Sequence, residues 1–298
     1  MKKIICILLS ALMLFSFTAC SGINKNIKQL NLDGEMLDED EFYDFIDEFE
    51  ETYEDWLEDN EGIAKEQSYK VTMEMYTTVE SDEANIEMGV SVSGKIIKSE
   101  FEFNNRFKLD YSINMKGTYE NEDGDDVEVK ANLTETITHV EGVTYFKIKG
   151  TTTDDGNTTK INVKTVYDDA LEDIVGEIIG DMGMFDISML PEFIEFGNAV
   201  ESILDMYEDE DSSEFYVFEN GFACQTEMES DFGDAFGQAS IKYDPETMTV
   251  KTFEEFVQSE IDYDDYSTVS IMKLKITTCW FASISKPSNV AEYYSYFK

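Results

Sequence analysis

The sequence predicts an α+β protein: a large curved antiparallel sheet with helices covering its concave face. Three observations lead there. From Tyr69 onward the apolar residues recur with a period of two, the period of a strand wet on one side. In mid-chain, at about 168–207, the period changes to the three-and-four spacing of a helix and then returns to two. Turn signals such as Glu141-Gly142 and Asp154-Asp155-Gly156-Asn157 separate the runs, which makes successive strands into hairpins and the whole into a meander.

The chain opens with Met1-Lys2-Lys3 and an apolar stretch from Ile4 to Phe17, too short to span a bilayer comfortably. Phe17-Thr18-Ala19-Cys20 then resembles the lipobox of bacterial lipoproteins, with Phe17 where Leu is commoner. The resemblance implies that residues 1–19 are a signal peptide and that Cys20 becomes the lipidated first residue. Localisation on the extracytoplasmic side of the cell membrane is then the expectation. Two acyl chains give stable anchoring where one is marginal. Residues 20–37 read as the lipidated tether; Ser21 to Leu32 contains Lys25 and Lys28 and no acid.

The acids begin at Asp33. With 65 Asp and Glu against 22 Lys and Arg, the formal net charge is −43, and losing Lys2 and Lys3 makes it more negative. Such a surface repels phosphate backbones, which argues against nucleic acid as a partner. Residues 38–62 form an acidic amphipathic helix. Phe42, Phe45, Ile46, Phe49, Tyr53, Trp56 and Leu57 make one apolar stripe from about Asp38 to Asp59. Acids at i and i+4 repel, so this helix needs something to pack on, either the domain's own sheet or an envelope protein partner.

Residues 63–298 are the sheet domain. Tyr69, Val71, Met73, Met75, Thr77 and Val79 share one strand face. Ile86 to Val92, Phe107 to Met115, Val127 to Leu133, Val143 to Ile148 and Lys160 to Val166 follow. Leu171, Ile174, Val175, Ile178, Ile179 and Met182 predict one helix, and Pro191 opens another carrying Phe193, Phe196 and Val200. Strands resume at 215–218, 222–228, 239–243, 247–257, 260–263 and 268–280. In the last, Val269 and Ile271 lie in one phase and Met272, Leu274 and Ile276 in the other, which a bulge near Ile271 would reconcile.

Catalytic constellations are thin. His139 is the only histidine, and no G-x-S-x-G, H-E-x-x-H, Gly-rich phosphate loop or C-x-x-C occurs. No cofactor, no metal and no catalytic residue is assigned. Acidic turns at 123–126 and 262–265 lack the spacing of an EF-hand loop. Cys224 and Cys279 are left open between a disulfide and two free thiols.

The order of lipid anchor, antiparallel meander, two mid-chain helices, more meander and a closing strand before Lys286-Pro287 resembles the LolA/LolB and LppX/LprG-like lipoproteins. The resemblance implies an incomplete barrel plugged by helices and carriage of lipid or other apolar molecules. The reading is therefore a non-enzymatic, lipid-anchored envelope protein that carries or senses an apolar ligand. Candidate lining residues are Phe107, Tyr111, Met115, Ile178, Met182, Phe193 and Phe196. The alternative is a surface interaction module acting through the acidic helix.

Overall fold

The computed structural model describes residues 26–59, 67–98, 106–121, 124–167, 213–230, 233–247, 249–263, 266–279 and 283–295. Strand β1 (Glu35–Leu37) precedes helix α1 (Glu39–Asp59). A first meander follows: β2 (Gln67–Ser81), β3 (Ala84–Lys98), β4 (Arg106–Glu120), β5 (Asp126–Val140), β6 (Val143–Asp154) and β7 (Asn157–Tyr167). The second comprises β8 (Glu214–Phe218), β9 (Gly221–Ser230), β10 (Gly233–Asp244), β11 (Thr249–Tyr263) and β12 (Tyr266–Thr278), and β13 (Tyr294–Ser295) closes the chain.

Because β12 pairs with β2, the two meanders fuse into one 13-stranded sheet of order β1-β8-β9-β10-β11-β12-β2-β3-β4-β5-β6-β7-β13. Every pairing is antiparallel except that of β13 with β7. The terminal strands are three and two residues long, and β13 pairs only with Thr165 and Val166 of β7. Tight turns set the hairpins: Glu141-Gly142 and Asp155-Gly156 hold positive φ at both positions, as a type I′ turn requires.

These findings overturn the α+β class and the helix-covered concave face. The described residues are almost wholly antiparallel strand, with α1 their one α-helix. The strands run to 15 residues and join segments that the sequence divides; β11 (Thr249–Tyr263), for example, takes in most of 247–257 and all of 260–263. The helices expected over 168–207 lie outside the described residues. The bulge near Ile271 is absent too, since β12 keeps one register with β11 and with β2. The slip falls instead between Lys242 and Tyr243, where β11 carries one extra residue.

One face of the sheet, here the inner face, carries the main core. It includes Val71, Val90, Leu109, Ile113, Ile137, Phe253 and Ile276, all buried. Helix α1 joins this core at the β8–β10 end. Its start is a reciprocal cap: the Glu41 amide donates to Asp38 Oδ1 at 2.9 Å, and the Asp38 amide to Glu41 Oε2 at 3.4 Å. Phe42 is fully buried, stacked on Phe215 at 4.3 Å and edge-on to Phe222 at 5.9 Å. Phe49 lies 5.1 Å from the Tyr243 ring. Phe42, Phe45, Ile46 and Phe49 of the stripe that overcomes the helix's self-repulsion are therefore seated on the chain's own sheet.

The outward phase of β12 has a physical explanation other than a bulge. Ile271 packs with Tyr76, Phe236 and Phe256 in a second apolar cluster on the outer face, which Ile27 and Leu30 cover. The Leu30 amide donates to Gln238 Oε1 at 2.7 Å, and Lys273 Nζ donates to the Lys28 carbonyl at 3.2 Å. Part of the expected tether is thus clamped to the body.

Replacing Phe42 with Ala removes its ring contacts with Phe215 and Phe222 of the sheet and leaves a void under α1. Chemical denaturation should show a loss of about 3–5 kcal/mol. A loss below about 1 kcal/mol would mean that α1 contributes little to the core.

Candidate functional site

Alternation along β4 turns Phe107, Leu109, Tyr111, Ile113 and Met115 to the inner face, all buried. Of the predicted lining residues, Phe107, Tyr111 and Met115 thus share one strand face. Ile178, Met182, Phe193 and Phe196 lie outside the described residues, as does Cys20. Strand β5 supplies the opposing positions. Phe107 faces His139, Tyr111 faces Glu135 and Met115 faces Ala131.

Glu135 is the side chain that sequence reasoning missed. It sits between Leu133 and Ile137 on the inner phase and is 2% exposed. Burial holds its carboxyl well above the ordinary carboxylate range. The Tyr111 phenol is also pushed well up, by burial first and then by the Glu135 charge. His139 stacks on Phe107 at 5.2 Å, and its Nδ1 lies 2.9 Å from Thr144 Oγ1. Burial lowers its pKa, which favours the neutral ring. Burial thus favours the neutral form of all three, hydrogen-bonding groups set in a largely apolar surface. A neutral carboxyl can both donate and accept, so it can meet an uncharged polar group without an ion being buried.

The same level of the ladder holds a second buried acid. Ala239, Glu255, Leu274, Met73, Val92, Tyr111 and Glu135 are successive cross-strand neighbours on the inner face. Burial pushes Glu255 up to about 7. The signal for both acids was in the sequence. Strict alternation carried past Leu133 places Glu135 inward, and alternation from Phe253 does the same for Glu255.

Cys224 and Cys279 are both free. Cys224 is wholly buried beside the core, and burial raises its thiol well above its ordinary value, so it is a packing group rather than a nucleophile. Among the described residues no three His, Cys, Asp or Glu side chains are grouped to hold a metal ion.

No protein-family model matches this sequence, and no curated protein matches it. Solved structures with similarity include a β-barrel-like domain of unknown function from Brucella abortus (10% identity, 75% of this chain and 100% of that one, TM-score 0.23). The translocator domain of the autotransporter NalP from Neisseria meningitidis shares 8% identity over 80% of this chain and 97% of that one, with TM-score 0.19. The ywiB protein of Bacillus subtilis shares 10% identity over 73% and 96%, with TM-score 0.16. Likeness at these TM-scores carries no argument about what this chain does.

The buried acids make stability depend on pH. Unfolded, Glu255 loses its proton near pH 4.5; folded, near 7. Folding takes up a proton between those values, so this contribution is complete below pH 4.5 and is lost as pH rises through about 7, by about 3 kcal/mol. Glu135 acts in the same direction. Denaturant midpoints of Glu255→Gln should fall less between pH 4.5 and 8 than those of the parent, with the acidic surface common to both. Parallel curves would place Glu255 in contact with water.

Proposed function

We propose that this protein is a lipid-anchored envelope protein, not an enzyme, that carries or senses a lipid or another apolar molecule on the inner face of its sheet. The supporting observation is the buried face of β2–β6, in which Glu135, Tyr111 and His139 interrupt a largely apolar surface. Apolar contact gives such a ligand about 25 cal/mol per Å² removed from water. The neutral polar strip would fix its orientation through a hydrogen bond. Met73, Met75, Met88 and Met115 on the same face are unbranched and adapt to irregular apolar shapes. Carriage of this kind is also what the resemblance to the LolA/LolB and LppX/LprG-like lipoproteins implies.

The anchor in this reading is lipid on Cys20. Among the described residues no helix is long and apolar enough to cross a membrane. The alternative, an interaction module working through α1, has less to rest on. Phe42, Phe45 and Phe49 of its stripe are committed to β8–β10, which leaves Asp40, Asp44, Asp47, Glu48 and Glu51 to face a partner.

Native mass spectrometry of the protein purified from membranes should show a bound apolar species. Met115→Asp, which places a charge on the inner face, should reduce its occupancy. A protein that never carries a ligand under these conditions would overturn the carrier reading. Separately, Cys20→Ser should move the protein from the membrane to the soluble fraction, and retention at the membrane would overturn the anchor.

A further inference from the structure

The outer face carries a basic site in a strongly acidic molecule. Residues 283–295 run as a strap across the outer face of β5–β7. Lys286 pairs with Glu141 at 2.7 Å, Tyr293 packs edge-on to Tyr145 at 5.5 Å, and β13 hydrogen-bonds to β7. Between strap and sheet lies a cleft of about 370 Å³, at the small end of the range for ligand sites. Four lysines line it: Lys108, Lys147, Lys164 and Lys286. Thr138 and Ser285 add hydroxyls from the sheet and the strap.

Three of these lysines have acid neighbours. Lys108 pairs with Asp110 at 3.1 Å, Lys164 with Glu292 and Lys286 with Glu141. Lys147 has no ion pair among the described residues, and it stands directly opposite Lys164 in the ladder. Lys108 in turn stands opposite Lys95, and Lys95 opposite Lys70. Like charges directly opposite destabilise a sheet. The chain has about three acids for every base, yet its register sets base beside base at this end of the outer face. Glu292 already offsets Lys164, which leaves Lys147 as the cation an incoming anion would meet.

We propose that this cleft binds a phosphate group, free or in a lipid headgroup, with Lys147 as its principal cation. A phosphate accepts several charge-assisted hydrogen bonds at once, which the lysines and hydroxyls here can donate. At about 0.1 M salt the screening length is roughly 10 Å, so the distant acids weaken while contacts inside the cleft persist. The site is separate from the inner face and does not rest on the apolar-ligand reading.

The test is calorimetric titration of the full chain at that ionic strength. Inorganic phosphate and pyrophosphate form one arm, and phosphatidylglycerol vesicles against phosphatidylcholine vesicles form the other. Phosphate should bind, and Lys147→Gln should weaken it about tenfold, as expected for one charge-assisted hydrogen bond. At one phosphate concentration the melting temperature of the parent should rise more than that of the variant. Binding only to phosphatidylglycerol vesicles, weakened by Lys147→Gln, would support the site and name a lipid as its source. No binding in either arm, or binding that Lys147→Gln leaves unchanged, would overturn the proposal.

Discussion

Backbone register is the constraint on which every other feature here depends. From β10 through β7 the ladder slips once, between Lys242 and Tyr243, and is otherwise continuous over eight successive pairings. A shift of one residue in any strand would exchange its two faces. The Met-rich core would turn to water, and Lys95 and Lys108 would turn into the apolar interior. That cost locks the alignment, and the alignment then places residues far apart in sequence at one level. Glu135 and Glu255 share such a level although 120 residues separate them.

Much of this was legible in the sequence because alternation is a local property. The strands from Tyr69 to Val166 and from Phe215 to Thr278 appear where period-two runs placed them, and α1 begins at Glu39, where a 3.6-residue stripe begins. The proportion of helix to strand was not legible. A helical stripe announces an amphipathic segment but not how much of the fold's surface it covers, and β-strands of 15 residues occupy most of the described chain. Ile27 and Leu30 escaped notice because isolated apolar residues in a polar stretch carry no period. Their hold on the body comes from residues 76, 236, 256 and 271, which the fold alone brings together. The row Lys70–Lys95–Lys108 is hidden in the same way, since strand pairing creates it.

The electrostatics follow from the same geometry. A net charge of −43 is a property of the whole chain, but the sheet sorts it by face. Acids crowd α1 and the loops. Lysines lie on the outer face of β2–β7, some in pairs such as Lys116 with Glu87 at 3.1 Å, others beside their own kind. Burial favours the protonated form of both glutamates, so neither places a fixed negative charge in the core at mildly acidic pH.

The clamp at Ile27 shortens the leash. Seventeen residues separate Cys20 from Leu37, enough to reach roughly 60 Å if extended. Only seven separate Cys20 from Ile27, so the span falls to roughly 25 Å. In the proposed anchored form the body would hang within that reach of the lipid, attached through the outer side of β2 and of β10 to β12. A tether of that length acts as a pivot, and it would decide which side of the molecule meets the membrane.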